Sequence, residues 1–139
     1  MEMLRDGNII PGKSIGQFEI GCKRETLVSL IGQGYKTEIR SNCIVIKMET
    51  LWFWIDEEEI VFQIRAFNGF YGKFDGKIGI GETLEDVESH YGKSINEDYV
   101  YLITCIPGIC FELKDVNDLD DVWYEMSAPI ESIYVIATN

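Results

Sequence analysis

Residues 12–32 and 72–92 are two versions of one segment. GKSIGQFEIGCKRETLVSLIG and GKFDGKIGIGETLEDVESHYG align without a gap at a spacing of 60 residues, with eight of 21 positions identical. The identities are Gly12 with Gly72, Lys13 with Lys73, Gly16 with Gly76, Ile20 with Ile80, Gly21 with Gly81, Glu25 with Glu85, Ser29 with Ser89 and Gly32 with Gly92. A repeat means one structural unit used twice, each copy burying a face that it could not bury alone. The chain of 139 residues is accordingly read as one domain, 1–139, with two internal repeats at about 10–70 and 71–139.

Both copies follow one physical logic. An extended lead (Gln17–Ile20, Lys77–Ile80) ends at a glycine able to take a turn conformation closed to other residues. Helices are predicted over about Lys23–Ile31 and Leu84–Tyr91, with Leu27, Leu30 and Ile31 on one apolar face and Leu84, Val87 and Tyr91 on the other. Thr83 and Asp86 resemble a capping box, and Gly32 and Gly92 occupy C-cap positions. Strand-like runs follow: Tyr35–Ile39, Cys43–Met48, Leu51–Ile55 and Ile60–Phe67, then Tyr99–Thr104, Ile109–Leu113, Val122–Met126 and Ile133–Ala137. Pro107-Gly108 and Glu57-Glu58-Glu59 read as turns or loop edges. The expected fold is α+β: a tandem repeat of two helix-plus-antiparallel-strand units, with both helices on one face of a curved antiparallel sheet.

Charge narrows the partners. The net charge is −12, but residues 1–70 balance at −2 and residues 71–139 at −10. Nucleic acid is a poor partner for such a field, because phosphate binding needs a basic surface. A basic protein suits it, since complementary fields speed encounter and set orientation. The bland reading is that acidity only maintains solubility. No run approaches the roughly 18 apolar residues of a membrane span, and the start, Met1–Asp6, lacks the pattern of a signal peptide. The expectation is a cytoplasmic protein that does not bind membranes. Cys22, Cys43, Cys105 and Cys110 form no CxxC pair; the even count permits two disulfides, but Cys43, Cys105 and Cys110 lie in or beside apolar, strand-like segments, so small buried thiols are the better reading.

Motifs for chemistry are sparse. His90 is the single imidazole, placed in the last turn of a helix, so no Ser/His/Asp or Cys/His set forms around it. The run from Asp115 to Asp121 invites a calcium reading, but Asp120 stands where an EF-hand loop needs glycine and Met126 where it needs glutamate. Gly76, Gly79 and Gly81 give GxxGxG rather than a phosphate-binding fingerprint. The expectation is no catalysis, no cofactor and no metal.

The aromatics are more informative. Trp52 and Trp54 share one face of a strand and Phe53 takes the other, so the tryptophans are either core or an exposed patch. Trp123 follows an acidic run, and Tyr101 follows Glu97-Asp98. Aromatics bordered by carboxylates have the composition of a protein-binding site. The candidate partner-binding residues are Asp115, Asp118, Asp120, Asp121, Trp123, Glu97, Asp98 and Tyr101.

Two resemblances follow. The tandem layout is similar to the repeat of beta-lactamase inhibitory protein, although the start lacks a signal-peptide pattern and the two cysteines of each unit are not read as a disulfide pair. The segments Ile10–Gly16 and Gly76–Leu84 resemble immunity proteins of contact-dependent growth inhibition and related polymorphic toxin systems. That resemblance implies a small, acidic, cytoplasmic inhibitor, monomeric or weakly dimeric, that neutralises a cognate toxin by direct contact, often a basic nuclease. The alternatives are a general protein-interaction adaptor and a small-ligand or enzyme pocket between the repeats.

Overall fold

A computed structural model describes residues 7–114 and 125–138. The α+β expectation is overturned: the fold is mostly β, with 47% strand and 13% helix, and the strands form two sheets rather than one. The reason lies in element size. Each helix is only eight residues long, and the glycine-rich leads, expected only as short extended pieces, pair into a sheet of their own.

The smaller sheet has five two-residue strands: β1 (Ile9–Ile10), β2 (Ser14–Ile15), β3 (Phe18–Glu19), β8 (Lys73–Phe74) and β9 (Ile78–Gly79), ordered β3-β2-β1-β8-β9. Its pairs are antiparallel except β1·β8, which is parallel. The larger sheet holds β4 (Lys36–Ile39), β5 (Ile44–Lys47), β6 (Leu51–Ile55), β7 (Val61–Phe67), β10 (Ser94–Glu97), β11 (Val100–Ile103), β12 (Ile106–Leu113) and β13 (Ile130–Ile136). It is antiparallel throughout and ordered β10-β11-β12-β13-β7-β6-β5-β4. Two four-stranded meanders therefore meet edge to edge, at β13 and β7.

Helices α1 (Arg24–Ile31) and α2 (Leu84–Tyr91) occupy matching places. Gly21 N–H donates to Val61 O at 2.8 Å, and Gly81 N–H donates to Ile130 O at 2.9 Å. Isolated bridges Lys23↔Ile60 and Thr83↔Pro129 repeat the pattern. Each helix is thus tied to the start of one of the two central strands, which holds it over the same face of the large sheet. Their ends differ. The Thr83–Asp86 capping box forms as predicted, whereas Lys23 offers α1 no side-chain cap. Leu30, expected on the apolar face of α1, is exposed.

Strand alternation sorts the large sheet into two faces. Ile46, Phe53, Ile64, Val135 and Ile109 pair in register as one buried row, with Leu51, Ala66, Ile133, Phe111 and Tyr101 as the next. These rows pack with Leu27 of α1, Leu84 and Val87 of α2, and Ile9, Ile15, Phe74 and Ile78 of the smaller sheet in one core. Fully burying one such aliphatic or aromatic side chain contributes roughly 1.5–3 kcal/mol.

Pro107-Gly108 is not the expected turn but lies within β12. Gly108 has φ +90°, its carbonyl accepts the Gly12 N–H at 2.9 Å, and a Cβ there would stand 2.5 Å from Gly12 N. The glycine lets the β1–β2 turn dock directly on the sheet backbone. Of the predicted strand Val122–Met126, Glu125 and Met126 form a turn, and residues 122–124 lie outside the described residues.

Candidate functional surface

The outer face of the large sheet, opposite the core, carries the candidate site. Lys47, Trp52, Arg65, Tyr134 and Cys110 align in register across β5, β6, β7, β13 and β12. Trp54 and Phe67 flank this row. The four aromatics are half-buried, so they are neither core nor fully free. Trp52 lies 5.9 Å from Trp54 and 5.5 Å from Phe67, and Trp54 lies 6.2 Å from Tyr134, centroid to centroid.

Cations thread this stack. The Arg65 guanidinium carbon is 4.2 Å from the Phe67 centroid, 4.9 Å from Trp52 and 5.9 Å from Tyr134. Lys47 Nζ is 4.2 Å from the Trp52 centroid, and the Arg40 guanidinium stands 6.0 Å from Trp54. Each ring face attracts the cation through its quadrupole. Glu38 accepts from Arg40 Nε at 2.7 Å and pairs with Lys47, and these partners hold its carboxyl down at about 2. Arg65 Nε donates to buried Ser132 Oγ at 2.9 Å, and Tyr134 OH donates to Glu112 Oε1 at 3.0 Å. Burial, then the nearby Glu112 charge, pushes the Tyr134 hydroxyl up to about 12.

Of the residues singled out from sequence, the described ones do not join this stack. Asp115, Asp118, Asp120, Asp121 and Trp123 lie outside the described residues. Glu97 and Asp98 are exposed at the β10–β11 hairpin, where Asp98 and Tyr99 take positive φ in a two-residue turn. Glu97 shares the outer face, at the edge opposite β4. Tyr101 faces the core, only 2% exposed, and its hydroxyl donates to Glu125 Oε2 at 2.7 Å. Its ring is therefore packed inside and is not a surface anchor. Arg65, Lys47, Phe67 and Tyr134 escaped the sequence reading, because only strand register brings them beside the tryptophans.

Other sites are weaker. A cleft of about 390 Å³ between the two halves is lined by Phe67, Ile80, Lys114, Pro129 and Glu131, with no imidazole or thiol among the described residues of its walls. His90 is exposed on α2. Among the described residues no three His, Cys, Asp or Glu side chains cluster to hold a metal, and no helix is long and apolar enough to cross a membrane. Compared with known protein families, curated proteins and solved structures, the chain matches none.

Proposed function

We propose that this protein is a cytoplasmic inhibitor that neutralises a cognate basic toxin by direct contact, with the outer face of its large sheet as the docking surface. One observation carries the reading: Trp52, Trp54, Tyr134 and Arg65 stand together on one half-buried face. Trp, Tyr and Arg are the residue types that dominate binding energy at interfaces, and a rigid sheet presents them at little entropic cost. The −10 balance of residues 71–139 supports a basic partner by steering its approach. The resemblance to immunity proteins points the same way. A general interaction adaptor is the second reading, and it would use the same face.

The test is growth rescue. The chain is produced in cells together with the toxin domain encoded beside its gene, and the complex is followed by surface plasmon resonance. Trp54→Ala is expected to speed dissociation by about thirtyfold, equivalent to about 2 kcal/mol. Neutralising Asp115, Asp118, Asp120 and Asp121 is expected to slow association and flatten its salt dependence. Absence of both rescue and complex ends the toxin reading. Rescue that is indifferent to Trp54 moves the site off this face.

A further inference from the structure

We infer that Arg65 is the central anchor of the outer face and that it receives a carboxylate, an Asp or Glu side chain on the docked partner protein. This rests on the reading of the face as a protein-binding surface. Arg65 is enclosed by Trp52, Phe67 and Tyr134, and its side chain is 16% exposed. Of its five N–H groups, Nε–H is used by Ser132. Nη2 forms an ion pair with Glu112 Oε1 at 3.8 Å, too long for a hydrogen bond, so among the described residues the Ser132 contact is the one hydrogen bond that the guanidinium makes. Glu112 is engaged by Tyr134 OH at 3.0 Å. A guanidinium clamped between rings and left with spare donors is a preorganised fork for a carboxylate, which it can bind through two parallel hydrogen bonds.

Local charge agrees. Along this face Arg65, Lys47 and Arg40 stand against Glu38 and Glu112, and Glu38 is already shared by Arg40 and Lys47. This is a cationic island on a chain of net charge −12. A basic partner meets the acidic remainder of the molecule, while one carboxylate of that partner meets the island. Such alternation fixes register, because a partner sliding off it leaves the spare Arg65 donors without a second carboxylate. Arginine among aromatics also suits a single-stranded nucleic acid. The net charge of −12 disfavours it.

Wild-type protein labelled with nitrogen-15 is titrated with acetyl-Phe-Asp-Leu-amide, its Asn counterpart, inorganic phosphate and an oligothymidylate, at matched ionic strength. The Asp peptide is expected to shift Arg65 Nε–H and the Trp52 and Trp54 indole N–H signals saturably, about fivefold or more tighter than the Asn peptide. Arg65→Gln should erase that preference, and Arg65→Lys should keep less than half of it. Equal binding of both peptides, no saturable shift from the Asp peptide, or tighter binding of phosphate or oligonucleotide overturns the inference. Thermal melting checks that the variants fold, and the wild-type comparison stands without them. The growth assay separates the two proposals. Loss of rescue by Trp54→Ala with rescue intact in Arg65→Gln keeps the face and discards the anchor. Indifference to both discards both.

Discussion

Arg65 and Tyr134 stand opposite one another across the β7·β13 pair, and each is the fifth residue of its seven-residue strand. Around them the pairing exchanges: Gln63 faces Ile136 and Phe67 faces Ser132. The two residues therefore mark a local twofold axis through the middle of the outer face. The backbone is near-symmetric there, but the chemistry is not, since one side offers a cation and the other a phenol held by Glu112. That asymmetry makes the two halves of the face chemically distinct.

Alkaline pH should weaken the fold. Burial comes first among the causes that push the hydroxyls of Tyr91, Tyr101 and Tyr134 up to about 12, followed by Asp75, Glu125 and Glu112 respectively. In an unfolded chain tyrosine titrates near 10. The folded state thus favours the neutral hydroxyl, and this stabilisation is complete below about pH 10 and lost as pH rises towards 12. Urea midpoints should fall across that window, and less steeply in Tyr134→Phe. Absorbance near 295 nm should resolve a late-titrating group among the seven tyrosines. A single titration of all seven near pH 10 would refute it.

The two helices differ at their starts, and substitution should reveal it. Thr83 Oγ1 accepts from Asp86 N–H at 3.2 Å, while the Asp86 carboxylate accepts from Thr83 N–H at 3.0 Å. Thr83→Ala is expected to cost about 1 kcal/mol in chemical denaturation. Lys23, extended at φ −80° and ψ 150° with no side-chain cap, should gain about 0.5 kcal/mol on change to Ser. Equal responses at the two sites would show that neither cap matters.

The four cysteines are unpaired and differ in access. Cys105 is exposed and should react first with a thiol reagent. Cys110 is buried, and burial followed by the charges of Glu112 and Glu97 pushes its thiol up to about 12. Its labelling should track global unfolding. Intact mass without reductant should show no loss of hydrogens; a loss of two would require a bridge that this fold does not contain.

Local order was legible in the sequence where local chemistry determines it. The helix spans, the Thr83 cap and the strand Leu51–Ile55 follow from periodicity and capping within a few residues. Fold class was not, because the apolar faces of two eight-residue helices resemble a helical layer while contributing little of the structure. The leads around Phe18 and Ile78 become strands only by pairing through β1 and β8, which periodicity over two residues cannot announce. The candidate surface was half visible: alternation put Trp52 and Trp54 together, whereas Tyr134 joins them from the far end of the chain through register alone.

The edge-to-edge meeting of the two meanders also sets a folding order. Hairpins such as β4–β5 and β10–β11 close over short loops, but β7 and β13 must find each other across the whole second half of the chain. Long-range pairing of this kind is the slow step in β proteins, since the loop entropy is lost before any contact compensates for it. Trp52 and Arg65 come from one side of that seam and Tyr134 from the other. A nascent or partly unfolded chain consequently lacks the assembled outer face, and the proposed docking surface is complete only once the contact that finishes the sheet has formed.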